Sequence, residues 1–400
     1  MGTTVKLFLA LALLDLALCA VFQVRVESAK PKQEQHLGKA ARYVKQPVPV
    51  ASRRTSFTGN ITFGSENHVS EVYFDTGSSE TWIVDKRCWQ PKECSAYCYI
   101  DWQCNTRCDA KCCPRCPPWY DPTTSSTFQP TNRSLDVTAM RAHVTGYYGV
   151  DTLHLGQIPN PKAKISNAVF GLADTYTDLK SPQDYEYNYF GAEGVLGLAP
   201  QSPLIHQAIS QGVLDEPVVT AYLYKVDPQF QGFIGGLFTF GGIDTENCGP
   251  IIAYETLTST TDFQFKITNL HTTAATPSSP NAFQAISHTG YGYIGGPQEL
   301  VDALAQQIGA VWTALKRKSV YLVDCSLADQ LPSIVLSIGE NEYSIAPANY
   351  LTKYTVYDGR CEVLLGRTEG PHVTLGTPFL KEYCNVYDYI NERIGFAKPL

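Results

Sequence analysis

Tyr73-Phe74-Asp75-Thr76-Gly77-Ser78-Ser79-Glu80-Thr81-Trp82 is the stretch from which the fold can be read. Two apolar residues deliver an aspartate onto a glycine-containing turn, two serines follow, and a tryptophan closes the run. A carboxylate at the end of an apolar strand is costly to bury unless neighbours hydrogen-bond it. Thr76, Ser78 and the N–H groups of the turn are placed to do so, which marks Asp75 as a carboxylate held for chemistry. Asp-Thr-Gly by itself also occurs in ordinary turns, so the reading depends on what surrounds it.

The surroundings are β-rich. Ser56 to Gly64 alternates apolar and polar residues and ends on glycine, and Val69 to Phe74 leads into the Asp75 turn. Short strands broken by Gly, Asn and Pro recur to the C-terminus. Helical spacing is confined to Pro203–Ile209 and Gln298–Val311. The chain also echoes itself. Asp75-Thr76-Gly77 is followed far downstream by Glu193-Gly194-Val195-Leu196-Gly197-Leu198-Ala199, and His288-Thr289-Gly290 by Val373 to Leu380. Two copies of a loop followed by an apolar-glycine strand predict two similar lobes facing each other. The length of 400 residues suits two lobes better than one core.

Composition sets the wider bounds. A hydrophobic content of 44% with 17% charged residues is that of a folded protein rather than a disordered one. A net charge of −7 argues against a nucleic-acid surface. Lys6 followed by a short apolar run and small residues up to Ala20 reads as a signal peptide over 1–20, with a membrane anchor as the alternative. Asp15 inside an already short run speaks against the anchor. Residues 21–54 are basic and proline-bearing and end at Arg53-Arg54. They read as a solvated leader or as a propeptide cut at that dibasic pair. Thirteen cysteines become twelve once Cys19 leaves with the signal peptide, an even number that points to disulfides in a secreted, extracellular chain. Asn60 and Asn132 begin glycosylation tripeptides.

Cys88, Cys94, Cys98, Cys104, Cys108, Cys112, Cys113 and Cys116 crowd into 88–116. Four bridges in a knot-like loop are expected, with zinc as the alternative; the cluster holds no histidine. The aromatics around it suit either partner recognition or packing within the loop.

With its flanks included, the Asp75 stretch resembles the first catalytic loop of the pepsin-like aspartic proteases. The resemblance runs from about Thr55 to Leu400. Pro118 to Phe128 is similar to the family's turn after that loop, Gly241-Gly242-Ile243-Asp244 to its lobe junction, and Tyr383 to Ala397 to its last strands. It implies an all-β, bilobal fold with an N-terminal lobe over 55–245 and a C-terminal lobe over 246–400. It also implies a disulfide between Cys325 and Cys361. Cys248 and Cys384 fall in segments that the family places in its inter-lobe sheet, so they are expected to bond, lone buried thiols being the alternative. No cofactor, metal, nucleic acid or membrane is implied. The expected partner of a monomer is a peptide or protein in the inter-lobe cleft, with a further protein partner at the cysteine-rich loop.

Such hydrolases need two carboxylates that share one proton, because like charges so close cannot both ionise. The second loop reads Ala285-Ile286-Ser287-His288-Thr289-Gly290-Tyr291. Thr289 and Gly290 are present; His288 stands where the resemblance asks for aspartate, and Tyr291 where it asks for a small hydroxyl residue. His288 is expected to form an ion pair with Asp75, with Trp82 and Tyr291 lining the cleft. Counting back from Gly149-Val150-Asp151-Thr152 puts Ala139 where the family carries its flap tyrosine, unless Tyr147 or Tyr148 stands in on a shorter hairpin. The expectation is a pseudoprotease that binds through its cleft or cysteine-rich loop. The alternatives are an active enzyme using an Asp75–His288 pair, or a site recruited to a non-peptide substrate.

Overall fold

The computed structural model describes residues 22–28, 57–88, 119–139, 142–156, 163–178, 192–223, 234–275, 282–315 and 318–400. The signal segment, the dibasic pair and all of the cysteine-rich loop beyond Cys88 lie outside them.

The first strands are β1 (Phe22–Ser28), β2 (Phe57–Phe63), β3 (His68–Asp75), β4 (Trp82–Val84), β5 (Gln129–Ala139), β6 (Ala142–Leu155), β7 (Lys164–Asp178) and β8 (Gly194–Gly197). Three follow before the chain turns to its second half: β9 (Val218–Leu223), β10 (Ile234–Phe240) and β11 (Cys248–Thr256). Next come β12 (Gln264–Ile267), β13 (Asn269–Thr272), β14 (Phe283–Ser287), β15 (Ile294–Gly296), β16 (Val311–Ala314), β17 (Ser319–Asp324), β18 (Ile334–Ile338) and β19 (Asn341–Ile345). The last are β20 (Leu351–Tyr357), β21 (Arg360–Val363), β22 (Leu365–Arg367), β23 (Val373–Leu375), β24 (Cys384–Asp388) and β25 (Arg393–Pro399).

One sheet of thirteen strands runs β11-β25-β24-β9-β10-β1-β2-β3-β8-β4-β7-β6-β5, so the final strands of the chain pair beside strands from the first half. Sheets of five, three and four strands complete the second half. The expected all-β architecture is what the chain adopts.

The echo read from sequence becomes a matched pair of strand arrangements. β3 runs parallel to β8, with Asp75 opposite Gly197, and β4 runs antiparallel to β8. β14 runs parallel to β23, with Ser287 opposite Leu375, and β15 runs antiparallel to β23. Each loop of interest therefore leaves a strand that is wedged between neighbours, β3 between β2 and β8 and β14 between β12 and β23.

The helices are short. α1 (Pro203–Ser210) starts on the Ser202 hydroxyl, which accepts from the Ile205 N–H. α2 (Gln298–Ile308) buries Val301, Leu304, Ala305 and Ile308, a single apolar stripe. It stops short of the predicted Val311 because Gly309 takes the left-handed conformation at φ 81°. In the Gly241-Gly242-Ile243-Asp244 turn, Asp244 is buried and its carboxylate accepts from the N–H groups of Glu246 and Asn247 and from the Asn247 amide.

Two disulfides join pairs of described cysteines. Cys248–Cys384 ties β11 to β24 across the central sheet, and Cys325–Cys361 ties the end of β17 to β21. Cys88 is also disulfide-bonded.

Candidate active site

Asp75 and His288 meet. His288 Nε2 lies 2.8 Å from Asp75 Oδ1; the carboxylate is buried and the imidazole keeps 28% of its side-chain surface. Burial works to raise the Asp75 carboxyl. The charge and hydrogen bond of His288, with the Gly77 and Gly290 amides, outweigh it and hold the carboxyl below its ordinary value. Burial likewise works against the imidazolium, but the Asp75 charge and hydrogen bond, helped by Asp262, raise the His288 pKa. Both shifts favour a carboxylate facing an imidazolium.

The backbone holds this pair. Gly77 N–H donates to Asp75 Oδ1 at 2.9 Å. A side chain at Gly77 would press into the His288 ring, and one at Gly290 would come 2.6 Å from Asp75 Oδ1. Both glycines thus permit a close approach that any larger residue would block. Beneath them the threonines cross-link the two loops. Thr76 N–H donates to Thr289 Oγ1 and Thr289 N–H to Thr76 Oγ1, each at 3.0 Å. The Thr76 hydroxyl donates to the Ser287 carbonyl at 3.0 Å and the Thr289 hydroxyl to the Phe74 carbonyl at 2.6 Å.

This corrects one expectation from sequence. The Thr76 hydroxyl bonds the opposite loop rather than Asp75, and the Ser78 hydroxyl donates to the Glu80 carbonyl at 3.4 Å. Asp75 is supported by backbone N–H groups and His288 instead, because Thr76 points down into the loop junction.

Sequence reasoning missed a buried layer below. The Ser287 hydroxyl donates to Asn385 Oδ1 and shares a hydrogen with the Tyr387 hydroxyl, each at 2.9 Å. All three residues are fully buried. Nothing in the local motif pointed to β24; only a hydroxyl at the end of the strand, at Ser287, hinted at a partner.

Tyr291 lies beside the pair, its ring 6.1 Å from that of His288 and 25° from parallel. The room for it comes from Gly366, where an added side chain would begin 2.6 Å from the Tyr291 hydroxyl.

Trp82 is fully buried in a cluster with Tyr73, Leu135, Val144 and Tyr148. The β5–β6 hairpin reverses between Ala139 and Ala142, which face each other. Tyr148 stands in the body of this hairpin and not at its tip. Its hydroxyl donates to Glu80 Oε2 at 2.6 Å while Arg133 covers its ring at 4.2 Å. Tyr147 donates to Asp85, beside the Arg87 side chain. Both tyrosines therefore brace the hairpin's base. Of the two glycosylation tripeptides, Asn132 is exposed at a bulge in β5. Asn60 is half-buried within β2, and Thr62 of its tripeptide is buried, donating to the Gly156 carbonyl at 2.9 Å.

Among the described residues no cluster of His, Cys, Asp and Glu could hold a metal ion, and no helix is long and apolar enough to cross a membrane.

Comparison with known proteins matches this geometry. Residues 56–399 fit the family model of eukaryotic aspartyl protease. Aspartic protease 6 of Caenorhabditis elegans is 33% identical, over 86% of this chain and 82% of its own length. Aspartic protease 2 of Necator americanus is 28% identical over 94% and 90%, and pepsin A of Rhinolophus ferrumequinum is 25% identical over 98% and 99%. With paired loops, a crossed threonine link and a family match over nearly all of the described chain, this protein belongs to the eukaryotic aspartyl protease family.

Proposed function

We propose that this protein is a secreted pepsin-fold pseudoprotease, which holds a peptide or protein segment in its inter-lobe cleft without cutting it as an acid protease would. The observation that carries the proposal is the Asp75–His288 ion pair at 2.8 Å. Acid proteolysis by a carboxylate dyad needs one ionised group to activate water and one neutral acid to donate to the scissile carbonyl. Here the second group is a cation locked to the first. The proton stays on His288, held by the Asp75 charge, and is not free to travel between two groups of equal acidity. The hairpin also carries Ala139 where a tip tyrosine would cover the substrate. Secretion rests on residues 1–20 and on the disulfides.

The test is cleavage of denatured globin and of a broad peptide library from about pH 3 to 7, the range over which carboxylates and histidine titrate. The expected result is no turnover. Robust cleavage that vanishes in Asp75→Ala would overturn the proposal. It would favour the second reading, an atypical endopeptidase in which His288 is the electrophile. That reading draws support from the direct contact of the two groups and from relatives named as proteases. Its activity would persist toward neutral pH, because the paired state of a raised His288 and a lowered Asp75 extends there.

A further inference from the structure

β1 is an interior strand. It pairs with β10 from Phe22 to Glu27 and with β2 from Val26 to Ser28. In the order of the large sheet it alone joins β10 to β2. Without it, the described sheet separates into a block of seven strands from β2 to β5 and a block of five from β11 to β10. The first block carries Asp75; the second carries the Cys248–Cys384 bond. Both β10 and β2 would then present unpaired N–H and C=O groups along new edges.

The segment that follows β1 contains Arg53-Arg54, and a cut there leaves only Thr55 and Ser56 ahead of β2. An extended chain gains about 3.3–3.6 Å per residue, so these two residues cannot rebuild a strand of seven residues. The two residues left ahead of β2 in a chain trimmed at that pair cannot take the place of β1.

We propose that Phe22–Ser28 is a permanent strand of the mature protein. The slot between β10 and β2 binds this segment of its own chain, and processing at Arg53-Arg54 yields a two-chain molecule rather than a released leader. The leader then serves as sheet structure, and its retention does not depend on what Asp75 and His288 do.

The test places the recognition site of a sequence-specific protease between Arg54 and Thr55 of the full secreted chain, so that the cut is made at will. Completeness is checked on a denaturing gel, and the product is run by native size exclusion with mass spectrometry of the protein peak. The expected result is co-elution of the leader with the body, and separation only in denaturant. Release of the leader under native conditions would overturn the proposal. Hydrogen exchange on the uncut chain gives an independent readout. The amides of 22–28 are expected to exchange as slowly as those of β10, and exchange at the rate of an unstructured chain would also overturn it.

Discussion

At the scale of the residue, Asp75 and His288 carry opposite charges only within a pH window. Their unfolded-state values lie near 3.9 and 6.5. Asp75 is held low in the fold, so its contribution is complete above its unfolded value and is lost as pH falls through the folded one. His288 is held high, so its contribution is complete below its unfolded value and is lost as pH rises through the folded one. The pair therefore stabilises most between about pH 4 and 6.5. His288→Ala leaves a buried carboxylate without its cation and is expected to cost roughly 3 kcal/mol inside that window. The cost should shrink at higher pH as His288 loses its proton. Urea unfolding of both proteins at several pH values measures it, and a penalty that does not vary with pH would show that the ion pair is not the cause. His288→Asp tests the chemistry. With the glycine amides and the threonine link in place, the variant is expected to cleave a fluorogenic peptide in acid, and to lose that activity when Asp75→Asn is added.

At the scale of the element, the two loops are bound to each other more firmly than to either functional side chain. Thr289→Val removes a donor to Phe74 and an acceptor for the Thr76 N–H. It leaves two buried backbone groups unsatisfied, for an expected loss of about 2–4 kcal/mol. A denaturation midpoint within error of the parent would refute the crossed link. On the β5–β6 hairpin, the exposed Asn132 is the expected glycan carrier; Asn132→Gln should abolish the mass shift produced by an amidase, and Asn60→Gln should not. Much at this scale was legible in the sequence. The Asp75 and His288 loops, their echoing strands and α1 all follow from local pattern. The Tyr148–Glu80 bond and the Ser287–Asn385–Tyr387 layer did not, because each depends on strand registers far apart in the chain. The role of β1 was hidden for the same reason. Phe22–Ser28 alternates as any short strand does, and only its two neighbours make it interior.

At the scale of the whole molecule, the large sheet carries strands from both ends of the chain, and Cys248–Cys384 staples its C-terminal side over a separation of 136 residues. Cross-linking so long a loop is worth roughly 5 kcal/mol on the chain-entropy estimate. A Cys248→Ala and Cys384→Ala double variant is expected to lose about that much in guanidinium unfolding. Loss of no more than a few tenths of a kcal/mol would indicate that strand pairing alone holds the two sides together.

The threonine link grips backbone and hydroxyl groups and touches neither the carboxylate at 75 nor the ring at 288. The scaffold therefore presents a socket whose geometry is indifferent to the group plugged into it. The codons for histidine and aspartate differ in their first base alone. In this fold, one transversion in a gene exchanges a salt-bridged cation for an acid without disturbing the walls that would hold it. Inheritance of the socket and inheritance of the chemistry are thus separate events.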